Sequence, residues 1–219
     1  MKFKSIIFDL DGTLVDTLED IYRAVNRALE DFHFPTHEKN AYLPKIGRGW
    51  RNLCTQALPA ENRDDITIQQ IFETSYRYYE SAPAAFSKPY PGILDLLAEL
   101  QRAKVNMAVL TNKPDPLAQK IIAELFPAGT FSTVFGEREG VSRKPDPAST
   151  WEIIMELNSD PKHTIFIGDS EVDIETAKAA ACHALGVSWG FRERSVLEET
   201  GAERIIDTPS DLLKIIREA

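Results

Sequence analysis

Four short polar clusters hold the residues able to do chemistry: Asp9-Leu10-Asp11-Gly12-Thr13, Thr111-Asn112-Lys113, Arg143-Lys144-Pro145-Asp146-Pro147, and Gly168-Asp169-Ser170 with Asp173 close behind. Together they offer carboxylates, lysine, and small hydroxyl or amide donors. Carboxylates crowded into one place repel one another unless a cation neutralises them. An all-oxygen set suits Mg²⁺, which takes octahedral oxygen ligands and keeps several waters. Lysine together with Thr111 and Asn112 suits a phosphate. A single Asp-x-Asp after a strand is more often a turn or a helix cap; four such clusters, each ending a strand or opening a helix, point to chemistry instead. Cys54 and Cys182 lie far apart, and neither they nor His33, His37, His163 and His183 show a metal-ligand spacing. A zinc site or disulfide framework is therefore not expected, and any metal must be held by oxygen.

The elements around these clusters follow from hydrophobic periodicity. Ser5 to Phe8, Val105 to Leu110 and Thr164 to Ile167 are short apolar runs that end abruptly in polar residues, the pattern of buried strands. Weaker strand signals lie at Thr133 to Phe135, Ala184 to Val187 and Arg204 to Ile206. Helices are expected from Ile93 to Ala103, Pro116 to Phe126, Pro147 to Leu157, Asp173 to Cys182 and Pro209 to Glu218, with Asp146 and Thr208 as start signals before prolines. Strand and helix in alternation imply a parallel sheet covered on both faces, whose ligands gather at the carboxyl ends of the strands. From Thr17 to Ala85 the alternation stops. Ile21, Val25, Leu29 and Phe32 share one helical face, and Ile68, Ile71, Phe72 and Ser75 another. The expected organisation is a core of residues 1–16 and 86–219 with an all-helical insertion over 17–85. The exit from the insertion, rich in proline up to Pro91-Gly92, suits a stiff crossing.

Composition excludes several function classes. The chain has 219 residues, a formal net charge of -9 and a pI near 5.0. Gripping nucleic acid needs a clustered positive surface, so no nucleic-acid partner is expected. Apolar stretches fall short of the roughly 18 residues of a membrane span, and the Ile6-Ile7-Phe8 run is too short for a secretory signal. The expected setting is the cytoplasm, with no membrane partner.

Read in order, Asp9-Leu10-Asp11-Gly12-Thr13-Leu14-Val15-Asp16, Val109-Leu110-Thr111-Asn112, Lys144-Pro145-Asp146-Pro147 and Gly168-Asp169-Ser170-Glu171-Val172-Asp173 resemble the four motifs of the haloacid dehalogenase superfamily. The resemblance spans essentially the whole core, and such a set is highly specific. The insertion resembles that superfamily's alpha-helical cap, and Gly201 to Asp207 is similar to the phosphoglycolate phosphatase-like branch. The implied fold is α/β, a doubly wound parallel sheet with a Rossmann-like core and an inserted all-helical cap domain. Carried over by position, the resemblance implies Asp9 as nucleophile, Asp11 as acid and base, Thr111 and Asn112 as phosphate binders, and Lys144 as the cation steadying both Asp9 and phosphate. Mg²⁺ would sit on the Asp9 carboxylate, the Asp11 main-chain carbonyl and Asp169, with Ser170 and Asp173 in supporting positions around it. Dehalogenase members lack an aspartate at the position of Asp11, so phosphate chemistry is favoured over carbon-halogen cleavage. The implied activity is Mg²⁺-dependent hydrolysis of a small phosphomonoester, phosphoglycolate-like, through an aspartyl phosphate. The alternatives are a phosphosugar mutase of the β-phosphoglucomutase type or a pyrophosphatase. The partner is a small phosphorylated metabolite; monomer and homodimer both stay open. One departure is Ala181, where relatives often have glycine, so the turn there is expected to differ.

Substrate choice is expected to rest on the insertion, since the core motifs recognise only a phosphoryl group. Lys45 to Arg51 combines two glycines with local positive charge, and Arg48 or Lys45 is a candidate to meet a substrate carboxylate. Solvated loop charge, with Trp50 as a packing residue, is the competing reading. Tyr76, Tyr78 and Tyr79 are expected to pack a helix rather than stack on bases.

Overall fold

A computed structural model describes residues 3–218. The chain begins with β1 (Ser5–Phe8), then the two-residue β2 (Val15–Asp16). Helices α1 (Leu18–Asp31), α2 (Trp50–Ala57) and α3 (Asp65–Ser81) follow, with a 3₁₀ segment Lys39–Lys45 between the first two. The two-residue β3 (Lys88–Pro89) then leads to α4 (Ile93–Arg102), β4 (Asn106–Pro114), α5 (Asp115–Leu125), β5 (Thr133–Glu137) and α6 (Ala148–Glu156). The chain closes with β6 (Thr164–Gly168), α7 (Glu171–Ala179), β7 (His183–Val187), α8 (Arg194–Thr200), β8 (Arg204–Ile206) and α9 (Pro209–Glu218).

Among the described residues, six strands form one sheet in the order β5-β4-β1-β6-β7-β8, with every neighbouring pair parallel. This is the expected doubly wound α/β architecture. Successive side chains of a strand point to opposite faces, and here both faces are buried. Ile6, Phe8, Val109, Ile165 and Ile167 pack in one apolar cluster, while Ile7, Ala108, Leu110 and Phe166 pack with Ile153, Ile174 and Leu197 in another. A strand covered on both sides has no polar face to alternate with, which is why these strands appear in the sequence as unbroken apolar runs.

Two boundaries differ from the periodicity in ways that matter for the site. Strand β4 runs on to Pro114, so Thr111, Asn112 and Lys113 belong to the strand and not to the loop after it; its register with β5 shifts between Leu110 and Pro114. Helix α7 starts at Glu171 rather than Asp173, because Ser170 and Asp173 form a capping box across its first turn. The Asp146 side chain accepts the Ala148 N–H at 2.9 Å, but α6 begins at Ala148, one residue after the Pro147 start expected.

Between β2 and β3 the chain is helical. Ile21, Val25 and Leu29 of α1 are buried together with Ile68, Ile71 and Ser75 of α3. Asp64 caps α3 by accepting the N–H groups of Ile66 and Thr67. Strands β2 and β3, paired antiparallel, form a short ribbon through which the chain leaves the sheet and returns to it. The buried carboxylate of Asp20 clasps the return, accepting the Phe86 N–H at 3.1 Å, the Ser87 N–H at 2.7 Å and the Ser87 hydroxyl at 2.5 Å. The turn at Ala181 keeps a left-handed conformation, φ 58°, despite its Cβ. Both cysteines are free and buried, and burial pushes each thiol up to about 12. Among the described residues no helix is long and apolar enough to cross a membrane.

Candidate active site

Adjacent parallel strands place the ends of β1, β4 and β6 side by side, so Asp9, the Thr111 to Lys113 segment and Asp169 converge although more than a hundred residues separate some of them. Lys144 completes the group from the loop before α6. Its ammonium donates to Asp9 Oδ1 at 2.7 Å and to Asp173 Oδ1 at 2.6 Å, and the side chains of all three are nearly fully buried. Asn112 anchors that loop. Its Oδ1 accepts the Lys144 N–H at 2.9 Å and its Nδ2 donates back to the Lys144 carbonyl at 3.0 Å, so the amide acts on the Lys144 main chain.

Asp173 is held on both oxygens, since its Oδ2 accepts the N–H of Ser170 at 3.1 Å and the Ser170 hydroxyl at 2.6 Å. Asp169 accepts the Phe191 N–H at 2.6 Å and lies 3.5 Å from the Thr13 hydroxyl. Two glycines make this packing possible. A Cβ on Gly12, whose φ is +86°, would come within 2.4 Å of Asp169 Oδ2, and one on Gly190 would come within 2.2 Å of the Asp169 Cβ.

The electrostatics are those of crowded buried charge. Burial raises Asp9 to about 7, with the neighbouring Asp173 adding to the rise and Lys144 working against it. Asp169 stands well above the usual carboxylate range, again from burial first and then from Asp173 and Asp9. Burial alone would depress Lys144, but Asp173 and Asp9 outweigh it and hold the ammonium above its ordinary value. Asp9, Asp169 and Asp173 each offer a carboxylate oxygen, all within 4.8 Å of one another. A hard divalent cation among these oxygens would offset the repulsion that raises them, so the donor set fits the Mg²⁺ expected from the sequence.

Asp11 faces another way. Its carboxylate accepts the Thr17 hydroxyl at 2.7 Å and the Lys113 ammonium at 2.9 and 3.0 Å. The Lys113 side chain is 1% exposed, and its nitrogen lies 4.5 Å from the centroid of the Tyr79 ring. Lys113 stood in the sequence beside Thr111 and Asn112 without a role of its own. The signal was its place in a polar cluster ending an apolar run, and only the fold shows the pairing with Asp11.

The helical segment closes over these residues through its loop before α2. Gly47 accepts from Asn112 Nδ2 at 2.9 Å, and Ile46 accepts from Arg192 Nη2 at 2.7 Å. Arg192 also bonds the Leu43 carbonyl and pairs with Glu171 at 3.0 Å. Arg192 follows β7 in a stretch with no motif, and the sequence reading passed over it. A cavity of about 30 Å³ is lined by Asp9, Asp11, Lys113 and Lys144 together with Ile46 and Trp50.

The two cations expected to meet a substrate from the loop do not line this cavity. Arg48 is half exposed and pairs with Glu171 at 3.1 Å, on the outer side of the closure. Lys45 donates to the Ala41 carbonyl at 2.7 Å within its own 3₁₀ turn, and burial lowers its ammonium. Trp50 is the packing residue anticipated, 4% exposed with its indole N–H on Ser75 at 2.9 Å, and it also forms part of the cavity wall. Tyr79 is buried at the helix interface, in keeping with a packing role.

Comparison with known proteins agrees with this architecture. Residues 6–187 match the family of haloacid dehalogenase-like hydrolases. A phosphoglycolate phosphatase of Haemophilus influenzae is 31% identical, with 98% of this chain and 99% of that protein aligned. A solved structure from Lactobacillus delbrueckii subsp. bulgaricus superposes with a TM-score of 0.93 at 33% identity, covering 99% of each chain. The β-phosphoglucomutase of Clostridium difficile shares the fold, with a TM-score of 0.81 at 20% identity over 99% of this chain and 96% of that one. With its motifs gathered at one sheet edge and the match running over most of its length, this chain belongs to the haloacid dehalogenase-like hydrolase family.

Proposed function

We propose that the chain is a Mg²⁺-dependent phosphatase that hydrolyses a small phosphomonoester of the phosphoglycolate type, carrying the phosphoryl group on Asp9. The observation behind this reading is Lys144, a buried cation bonded at once to Asp9 and Asp173 beside Thr111 and Asn112. Phosphoryl transfer needs in-line positioning and stabilisation of equatorial oxygen charge more than elaborate covalent chemistry. Lys144 supports both, holding Asp9 in place and offering positive charge to phosphate oxygens. The relatives that align over nearly the full length and are named phosphoglycolate phosphatases support the substrate class. The β-phosphoglucomutase likeness is one of fold alone.

In this reading an Asp9 oxygen attacks phosphorus and the phosphorus–oxygen ester bond breaks. Asp11 gives a proton to the departing alkoxide. Water then attacks the aspartyl phosphate, Asp11 takes a proton from that water, and Asp9 and inorganic phosphate are released. Thr111, at the end of β4, contributes to phosphate binding, and Asn112 keeps the Lys144 loop in register with it. Asp9, Asp169 and the Asp11 carbonyl would hold Mg²⁺, which supplies charge neutralisation to the phosphate oxygens. Ser170 and Asp173 hold Lys144 and the start of α7 in position. Residues 17–85 act as a cap on a core of 1–16 and 86–219, and the enzyme works in the cytoplasm.

The test is a phosphate-release screen over 2-phosphoglycolate, sugar phosphates, nucleotides and pyrophosphate, with Mg²⁺ and with EDTA, on wild type and Asp9→Asn. Asp9→Asn is expected to stay folded by circular dichroism and to lose activity by about 10³-fold or more, because an amide is a poor nucleophile and a weak metal ligand. Near-wild-type turnover in Asp9→Asn, or undiminished turnover in excess chelator, would count decisively against the reading.

A further inference from the structure

We propose that Lys113 reads a second anionic group on the substrate, next to the ester oxygen, and that taking up this group frees Asp11 for its acid–base role. The proposal rests on the phosphatase reading above and adds what selects the substrate.

Lys113 is a buried cation that the mechanism so far leaves unused. A fully buried ammonium carries a large desolvation penalty, and replacing a buried ion pair with well-packed apolar residues is often neutral or stabilising. Stability alone is therefore a weak reason to keep one beside Tyr79 and Trp50, whose rings lie 4.5 and 5.7 Å from its nitrogen. The cavity contains a second cation, Lys144, but the mechanism above already assigns it to Asp9 and to the oxygens of the transferring phosphoryl group. Arg48 is occupied by Glu171 outside the cavity, and Lys45 is turned to the Ala41 carbonyl. The cation placed to meet a second charge on a bound phosphoester is Lys113.

The spacing selects the ligand. Lys113 touches both oxygens of Asp11, the group that must reach the ester oxygen. A negative group that replaces Asp11 on Lys113 must therefore lie beside that ester oxygen. In 2-phosphoglycolate a single methylene separates the ester oxygen from the carboxylate. Ile21, Ile46, Trp50 and Leu53, which also line the cavity, are apolar and suit a methylene.

The exchange also accounts for where Asp11 rests. Its Oδ1 accepts from both Thr17 and Lys113 and its Oδ2 from Lys113, which ties the carboxylate to its neighbours. When a substrate carboxylate takes over the ammonium, one carboxylate replaces another. The buried lysine stays paired throughout, and no bond is made or broken in the covalent sense. Asp11 then keeps only Thr17, takes from solvent the proton it is to donate, and can turn to the ester oxygen. A phosphoester without the second charge leaves Asp11 held by Lys113 and reacts slowly.

The experiment compares kcat/KM for 2-phosphoglycolate and for ethyl phosphate, the matching chain without the carboxylate, in wild type, Lys113→Met and Lys113→Arg, with thermal melts to check folding. Wild type is expected to prefer 2-phosphoglycolate by tenfold or more. Lys113→Met should bring that ratio down by tenfold or more, toward unity, and Lys113→Arg should keep part of it. A general packing defect would lower both substrates alike and leave the ratio intact, which overturns the proposal. So does a wild type that turns over ethyl phosphate as well as 2-phosphoglycolate, a result that needs no variant to fold. Absence of phosphate release from every phosphoester in the screen would instead bring down the phosphatase reading on which this rests.

Discussion

Replacing Lys144 by methionine removes the one positive charge between two buried carboxylates while keeping nearly the length of the side chain. The wild-type ammonium sits 2.7 Å from Asp9 and 2.6 Å from Asp173, its side chain 3% exposed. Gross Coulomb attraction at such distances is many kcal/mol, but most of it is offset by the cost of desolvating three ions. Breaking a buried pair by deleting one partner leaves an uncompensated charge and typically costs about 3–5 kcal/mol. For a chain of this size that corresponds to a fall in Tm of about 6–20 °C. The loss should depend on pH in a particular direction. Asp9 is already raised to about 7, so without Lys144 it is protonated at pH 6, which relieves part of the repulsion. At pH 8.5 that relief requires proton uptake against the gradient, so the loss should approach the upper end of the range. Adding Asp173→Asn to Lys144→Met removes a second charge and should recover stability, leaving the double variant less destabilised than the sum of the two single changes. The assay is urea denaturation in EDTA at the two pH values, so that metal binding does not enter. A Lys144→Met protein within about 1 kcal/mol of wild type, or a second substitution that deepens the loss, would refute this account of how the site's charges balance.

Two further outcomes follow from the same structure. In EDTA, the stability advantage of Asp9→Asn over wild type should grow by a few kcal/mol between pH 4.5 and 7.5. The folded carboxyl, raised from 3.8 to about 7 by burial first and by Asp173, holds a proton that the unfolded chain releases in that window, so its contribution to stability falls as pH rises; Mg²⁺ should cancel the trend, and a flat difference would contradict it. Ala181→Gly should raise stability by about 0.5–1 kcal/mol in thermal melts, because Ala181 occupies a left-handed conformation at φ 58° that only its Cβ opposes; a loss would show that the Cβ is compensated by packing.

Much of the fold was legible because the core strands are buried on both faces. Ser5 to Phe8 and Thr164 to Ile167 have no polar face to interrupt them, so their apolar runs end where chemistry begins. Three of the core clusters could be found for the same reason, each standing where such a run gives way to polar residues, while the cluster around Lys144 was marked by its place before a helix. Boundaries were less legible where a tertiary partner decides them. Strand β4 continues past its apolar part because β5 pairs with it again at Pro114, after a register shift that follows Leu110 and beyond the point where hydrophobicity gives a signal. Arg192 could not be found in advance, since its neighbours Trp189, Gly190 and Phe191 carry no periodic pattern. Their use depends on β7 lying next to β6, which brings the Phe191 N–H onto Asp169.

The sequence by itself determined the parallel α/β class, the four polar clusters and the helical insertion, because residue type and periodicity are local properties of the chain. Tertiary structure alone decided which charges meet. Arg48 and Lys45, prominent in the sequence for their charge, are claimed by Glu171 and by the Ala41 carbonyl, while Lys113 is buried against Asp11, 102 residues away. Pairing among charges depends on distance and on the water excluded between them. Both are set by the order of strands in the sheet and by the closure of the helical segment over its edge, and neither is encoded in the spacing of residues along the chain.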